Sequence, residues 1–453
     1  MRRWRSRIEQ PFRAFQSPVN GHEIEPRMPP MQPSKAPYPM PAAMPAPGAA
    51  TAREAPEPSR LAQYEALIGC RATERLHKKA KRLQGLKVLH VNSTRHGGGV
   101  AEILSSFSPL MSDLGFQCDW LVIDGQPDFF AFTKEIHNAL HGAPIKPTAQ
   151  QKALHRTIVL DNVADPAQLV YDVIIVHDPQ PLPLVERRRA QVWIWCCHID
   201  VSAPDHAVWD YLSPIVNQYD AAVFSLPEYG QNLRVPQHFI MPAIDPFSSI
   251  NRLMSRAEVL QLLAKHAIPP QRPLVLQAGR FDKWKDPAGV IEAFGLACQE
   301  VAATLVLVGN TAADDPEGAD ALEAVCRLSN DRVIVLSVDD RLLVNALQRH
   351  AAVVLQKSIR EGFGLTVAEA MWKRRAVIGG NVGGIRHQLV DGKSGFLVTD
   401  VEAAATRMAS LLSDPRLRHE MGRRAKERVR RYFLMTRLLE DWLDLIAALV
   451  RTI

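Results

Sequence analysis

From residue 61 onward, short β-branched runs alternate with longer stretches whose apolar residues recur every three or four positions. The runs Lys87–Asn92, Asp119–Ile123, Asp172–His177, Val192–Cys196 and Ala221–Phe224 read as strands. A second set follows at Leu274–Ala278, Thr304–Val308, Arg332–Leu336, Val353–Gln356 and Ala376–Ile378. Strands alternating with helices predict parallel sheets covered on both faces. Two such sets predict an α/β protein of two doubly wound, Rossmann-like domains. Pro242 and Pro246 interrupt the pattern within Met241–Ser249, which sets the expected domains at 61–242 and 243–430. Leu61–Leu83 reads as helical, and so does Asp414–Ile453, which has no strand after it. The end of that stretch, 431–453, is expected to pack back on the first domain.

Residues 1–60 break the pattern. They hold thirteen of the 33 prolines, and Met28–Pro47 alternates Pro, Met and Ala without periodicity. Such a segment buries too little apolar surface to offset its ordering entropy, so a disordered tail is expected. The tail also carries most of the net charge of +6: nine Lys and Arg against five Asp and Glu, leaving only +2 on the other 393 residues. The Arg2–Arg7 cluster would suit an acidic surface, but a solvated tail explains it better. A nearly neutral body without a basic motif argues against nucleic-acid binding. No stretch approaches the roughly 18 apolar residues of a membrane span. The arginines at the start precede no apolar segment, so no secretory signal is expected. Six cysteines without a CxxC pair suggest neither a disulfide framework nor a thiolate zinc site. A cytoplasmic protein fits these features.

Ligands of doubly wound sheets bind beyond the carboxyl ends of the strands. After Lys87–Asn92 comes Ser93-Thr94-Arg95-His96-Gly97-Gly98-Gly99 and then a helical run. Glycines permit close backbone approach, and the helix N-terminus that follows offers free N–H groups to an anion. A plain strand-to-helix turn would use the same residues. The loop is neither GxGxxG nor a P-loop, which disfavours a dinucleotide dehydrogenase and a P-loop NTPase.

In the second domain the loop after Leu274–Ala278 carries Arg280 and Lys285, a guanidinium fork and a point charge able to share one anion. A solvated turn is the plainer alternative. After Val353–Gln356 comes Glu361-Gly362-Phe363-Gly364-Leu365-Thr366-Val367-Ala368-Glu369, a glycine-bearing loop entering a helix. Thr366 and Glu369 fit a capping box, which would explain Glu369 without any ligand. Glu361 has no such local explanation.

These residues resemble the retaining glycosyltransferases of family 4. The resemblance rests on Arg280, Lys285, the Glu361-x7-Glu369 pair, Val382-Gly383-Gly384-Ile385 and Val390-Asp391-Gly392 through Val398. Within that group the chain is similar to the trehalose glycosyltransferring synthases and the related trehalose phosphorylases. The closer likeness rests on His90-Val91-Asn92-Ser93-Thr94, Gly97 through Leu104, Asp128-Phe129-Phe130, Thr133-Lys134, His137-Asn138-Ala139-Leu140 and Val176 through Pro181. It continues through Cys197-His198-Ile199-Asp200, Leu226-Pro227-Glu228-Tyr229 and Asp314 through Gly318.

The resemblance implies the GT-B fold, with the active site in the cleft between two Rossmann-like domains. It implies a transfer of glucose from a nucleoside diphosphate glucose to free glucose, giving trehalose. Arg280 and Lys285 would bind the diphosphate, and Glu361 the hydroxyls of the donor glucose. Phe363, Gly364 and Leu365 would offer backbone N–H groups, and Glu369 would bind the ribose. Gly98 and Gly99 would close over the diphosphate, and His198 would sit over the transferred glucose. Asp178, Gln180 and Asp200 are the expected acceptor-side residues. Gln388 departs from the Glu that many family members carry. Without the resemblance, His198 also reads as a satisfied core histidine, and Trp193, Trp195 and Trp209 read as packing. No metal ligand set and no resident cofactor are expected, though a divalent ion such as Mg²⁺ is compatible with a bound nucleotide. The expected partners are the nucleotide sugar and glucose or trehalose, and a homodimer is compatible with the reading. A phosphorylase using phosphate in place of a nucleotide, and a catalytically silent sugar- or nucleotide-binding regulator, are the alternatives.

Overall fold

The computed structural model describes residues 59–299, 301–310 and 318–450. Of the Pro-rich tail expected over 1–60, residues 1–58 lie outside the described residues, as does the 314–317 part of the resemblance; Ser59 and Arg60 instead open the first helix, Ser59 as its N-cap.

Two six-stranded parallel sheets organise the chain. The first comprises β1 (Lys87–Asn92), β2 (Gln117–Val122), β3 (Val173–His177), β4 (Val192–Cys197), β5 (Ala221–Phe224) and β6 (Gln237–Phe239), in the order β2-β1-β3-β4-β5-β6. The second comprises β7 (Leu274–Ala278), β8 (Thr304–Gly309), β9 (Val333–Ser337), β10 (Val353–Gln356), β11 (Ala376–Gly380) and β12 (Phe396–Val398), in the order β12-β11-β10-β7-β8-β9. Strands β3, β4, β5, β7, β10 and β11 are buried along their whole length. That is why they read as apolar runs rather than alternating ones. β6 and β12 do not appear in the sequence reading. Each is three residues long and sits at a sheet edge, too short for any periodicity.

Both predicted long helices are broken. Gly69, at φ +82°, ends the helix Arg60–Ile68 and begins the helix Cys70–Ala80. The C-terminal helices Pro415–Tyr432 and Met435–Val450 part at Phe433 and Leu434. There the chain returns to the first lobe beside the outgoing crossing: the Ile244 N–H donates to Phe433 O at 2.9 Å and the Met435 N–H to Ile244 O at 3.1 Å. Beyond that point Trp442 packs against Phe107, with ring centroids 6.4 Å apart. Glu440 and Asp444 meet Arg75 and Lys79 on the helix Cys70–Ala80. The last helix therefore lies on the first lobe.

Sheet order determines where a ligand can sit. The connections from β1 diverge to β2 on one side and β3 on the other. Those around β7 diverge to β8 and β10. Loops leaving these strands splay apart and leave a crevice. Residues 93–98, 178–182, 279–286 and 357–364 are those loops, and they border the space between the lobes. No helix among the described residues is long and apolar enough to cross a membrane.

Candidate active site

A cleft of about 340 Å³ lies between the two sheets' carboxyl ends. Two helix N-termini meet across it. The helix Gly99–Asp113 enters through Gly98, at φ +97°, and the helix Leu365–Trp372 through Gly364, in the left-handed region at φ +83° and ψ +67°. They approach closely enough that a Cβ on Gly99 would lie 3.2 Å from Leu365 Cδ1. Unpaired N–H groups and the positive ends of two helix dipoles thus face one volume, an arrangement suited to an anion.

Arg280 and Lys285 line the same cleft beyond β7. Lys285 is fixed by its own backbone. Its N–H donates to Asp282 Oδ1 at 3.1 Å, and its carbonyl accepts from Gln277 Nε2 at 2.7 Å. Its ammonium reaches Glu361 Oε2 at 2.5 Å. The same oxygen accepts from Ser358 Oγ at 3.0 Å and Gln356 Nε2 at 3.3 Å. All three contacts fall on Oε2, which leaves Oε1 for a ligand hydroxyl. Next to it, Gly362 passes so near the other lobe that a Cβ there would lie 1.9 Å from His198 O. Only glycine permits that approach.

Glu369 also lines the cleft, and its helix is not capped as the sequence suggested. The N-cap is Gly364, no side chain caps the helix, and Thr366 is already inside it. The Glu369 carboxylate instead accepts from Gln348 Nε2 at 3.4 Å. Lys373 donates to Gln348 Oε1 at 2.6 Å and Asn251 Oδ1 at 2.7 Å. From the first lobe Glu102 joins this group through Arg341, 2.7 Å away. Burial raises the Glu369 carboxyl and lowers the Lys373 ammonium to about 7. Burial, then the Glu369 charge, holds Glu102 up at about 7, with Arg341 opposing.

On the first-lobe side the cleft is lined by Asp178 and His198. Asp178 sits at φ +62° and its Oδ1 accepts the backbone N–H of His198 at 2.7 Å, which fixes the strand-to-loop exit. The other two acceptor-side candidates lie away from the cleft lining. Gln180 does not line the cleft; its carbonyl accepts from His155 Nε2 at 2.9 Å in the lobe interior. Asp200 does not line it either. Its Oδ1 accepts the Ser202 N–H and hydroxyl at 3.0 and 2.6 Å, and its Oδ2 lies 3.7 Å from Arg360, which does face the cleft. Both residues follow strand ends; a turn absorbs the Asp200 carboxylate, while the Gln180 side-chain Oε1 is buried without a hydrogen-bond partner.

His198 Nε2 lies 2.9 Å from His177 Nδ1, and Cys196 Sγ 3.4 Å from the same His198 nitrogen. These three residues bring their donor atoms within 4.8 Å of one another, the set among the described residues that could hold a metal ion. Here the two histidine nitrogens point at each other rather than at a shared centre.

Sequence reasoning missed the residues that join the lobes. Trp284 Nε1 donates to Asn138 Oδ1 at 3.1 Å, and the Tyr229 hydroxyl donates to the carbonyls of Glu361 and Gly362 at 3.0 and 3.1 Å. Glu228 accepts from Arg386 and, at 2.7 Å, from His387. Asn138, Glu228 and Tyr229 stood in the stretches that carried the resemblance, but their partners, about 130 to 160 positions away, left no local signal.

Comparison with known proteins agrees with this geometry. The family model described as "Trehalose synthase, N-terminal domain" matches residues 90–231, and "Glycosyl transferases group 1" matches residues 260–428. The trehalose synthase of Pyrococcus horikoshii is 41% identical over 400 residues, covering 86% of this chain and 96% of its own. That of Rubrobacter xylanophilus is 42% identical over 405 residues, covering 86% and 97%. Among solved structures, an α,α-trehalose-phosphate synthase from Burkholderia vietnamiensis superposes with a TM-score of 0.63 at 14% identity, covering 82% of this chain and 99% of that one, a likeness of fold. With two doubly wound lobes facing across a cleft and relatives this similar along most of its length, the chain belongs to the trehalose synthase family of GT-B glycosyltransferases.

Proposed function

We propose that this protein transfers glucose, with retention, from a nucleoside diphosphate glucose to free glucose and so forms α,α-trehalose. One observation carries the reading: Arg280 and Lys285 share a cleft with two converging helix N-termini, and the Lys285 ammonium holds Glu361 beside them. Breaking the bond between the glucose anomeric carbon and the donor phosphate leaves an oxocarbenium-like sugar and loads charge on the diphosphate. Preorganised cations and N–H groups stabilise that charge where it develops. Glu361, with Oε2 engaged, would take sugar hydroxyls on Oε1. Glu369 would take the ribose, and Gly98 and Gly99 would close over the diphosphate. His198 would face the transferred sugar. We infer a front-side displacement in which the acceptor's anomeric hydroxyl attacks the face the phosphate leaves. Its proton passes to the departing phosphate oxygen. The Arg280 and Lys285 side receives the diphosphate, and a divalent ion such as Mg²⁺ accompanying the nucleotide would add to this charge balance.

The test incubates purified protein with ADP-, UDP- or GDP-glucose plus glucose, and separately with trehalose plus phosphate. Trehalose and nucleoside diphosphate in the first set support the reading. Glucose 1-phosphate from the second set alone would make it a phosphorylase. No turnover in either would leave a sugar- or nucleotide-binding regulator.

A further inference from the structure

Three histidines cross the first sheet near its carboxyl end. His90 lies in β1, His177 ends β3 and His198 follows β4, three strands adjacent in the sheet. His90 pairs in register with Ile175, two residues before His177, and His177 pairs with Cys196, two residues before His198. Residues two apart in a strand share a face, so each histidine stands one step further along the same side. His198 Nε2 meets His177 Nδ1 at 2.9 Å, and His177 Nε2 meets His90 Nδ1 at 3.0 Å. The rings tilt by only 19° and 25°, with centroids 5.2 and 5.3 Å apart. So long a centroid separation with so short a nitrogen contact is a head-to-tail, in-plane chain, not a face stack.

The two ends differ. His198 lines the cleft, and its Nδ1 is the ring nitrogen left for a ligand. At the other end, His90 Nε2 is buried without a partner. It adjoins a small space walled on one side by Ile103, Phe107, Ile240, Leu438 and Trp442 and on the other by His177, Cys196 and His198. A neutral imidazole carries one proton, on one nitrogen. Each nitrogen contact in the chain needs one donor and one acceptor. The three N–H bonds must therefore point the same way, and the surroundings of the blind end favour one direction. Phe107 stands edge to face with His90, at 85° and 5.8 Å. An N–H at the blind end would lie beside this aromatic wall. With the proton on His90 Nε2, His177 donates to His90, His198 donates to His177, and His198 Nδ1 is left unprotonated.

We propose that His177 and His90 are positioning residues that hold His198 in a single tautomer, its Nδ1 lone pair turned to the sugar in the cleft. The sugar's identity rests on the function proposed above; the tautomer does not. His198 then accepts a sugar hydroxyl and adds no N–H dipole facing the forming oxocarbenium. The orientation of a functional imidazole is set by what its other nitrogen meets.

Ring-¹⁵N-labelled histidine in the intact protein reads this directly, with the His198 resonances identified by their loss in His198→Gln. The expected spectrum has His198 Nδ1 unprotonated and Nε2 protonated, in one form. His177→Phe should release the constraint, giving mixed His198 tautomers and a kcat lower by about 10- to 100-fold at nearly unchanged donor KM. His90→Phe should give a smaller change of the same kind. A protonated Nδ1 in the unsubstituted protein overturns the proposal, and this readout needs no variant to fold. An unchanged His198 spectrum in a folded His177→Phe also overturns it. If His198→Gln keeps full activity while the unsubstituted spectrum is as expected, the placement of the sugar fails and the tautomer assignment stands.

Discussion

Lys285 and Glu361 stand 76 residues apart in sequence and 2.5 Å apart in the cleft, nitrogen to carboxylate oxygen. The pair joins the loop after β7 to the loop after β10, the two segments that splay apart at the second sheet's switch point. Each side chain thereby orients the other: the lysine toward a diphosphate, the glutamate toward a sugar.

Lys285→Ala should lower turnover by about 10²- to 10³-fold, the usual effect of losing one preorganised electrostatic partner. Glu361 would keep Ser358 and Gln356, so the fold should survive with little change in melting temperature. Steady-state kinetics with circular dichroism checks both. A variant with near-normal kcat would remove Lys285 from the leaving-group side.

Gln388 has a physical reason to depart from the Glu of many family members. It is fully buried, and its Nε2 donates to Phe363 O at 2.6 Å and Gly364 O at 3.2 Å. The amide therefore ties down the loop that starts the helix Leu365–Trp372. A carboxylate has no proton for either carbonyl. Gln388→Glu should cost about 1–3 kcal/mol, the penalty for unsatisfied buried polar groups, and should weaken donor binding. Urea unfolding measures the first and donor KM the second. Unchanged stability would mean the loop is held by other contacts.

Acid should destabilise the protein well above the carboxylate range. Burial lowers His90 to about 3, and His141 and His155 to about 4, from a usual value near 6.5. Between about pH 4 and 6.5 the unfolded chain binds protons that these folded histidines refuse. Stability therefore rises with pH in that window and is fully present above it, at about 1.4 kcal/mol per pH unit for each such group. Glu102, held up at about 7, and Glu369, also raised by burial, work in the opposite direction, but two carboxyls do not cancel three histidines. Thermal melting between pH 4.5 and 7 should show a falling midpoint on acidification. His155→Gln should flatten that slope whatever its absolute midpoint. A midpoint independent of pH would show that these histidines accept protons without opening the fold.

Much of this site was legible because its parts lie where strands end. Arg280, Lys285, Glu361 and the Gly97–Gly99 run each follow an apolar strand directly, so local pattern alone put them beyond a sheet edge. What the pattern lacks is sheet order. Nothing in the runs around His90, His177 and His198 says that β1, β3 and β4 are neighbours, so three histidines in line could not be anticipated. Nor could the breaks at Gly69 and at Phe433–Leu434. The first depends on a single glycine in a helical run, and the second on Ile244 pairing with a segment about 190 residues away. Asp200 and Gln180 show the limit of reading a site from resemblance alone: both follow strand ends, yet neither lines the cleft, and Asp200 is held by the Ser202 turn.

Glu369 is where local and functional explanations can be separated. The capping-box reading predicts that Glu369→Gln is silent, because glutamine also reaches back to an N-cap amide. That role is absent from the helix, whose N-cap is Gly364 without a side-chain cap. The carboxylate faces Gln348 and the cleft, with Lys373 and Arg341 as the nearby cations. Replacing it by a neutral amide removes a buried charge, which favours stability, and takes the anionic neighbour from Lys373, which opposes it. The melting temperature should move little. A ribose diol loses a charge-assisted acceptor, so the KM for nucleotide-glucose should rise about tenfold while kcat changes less, the pattern of lost uniform binding. Kinetics with donor varied at saturating glucose is the measurement. If donor KM stays constant while the melting temperature falls, Glu369 serves the buried charge cluster with Glu102 and Lys373 rather than the nucleotide.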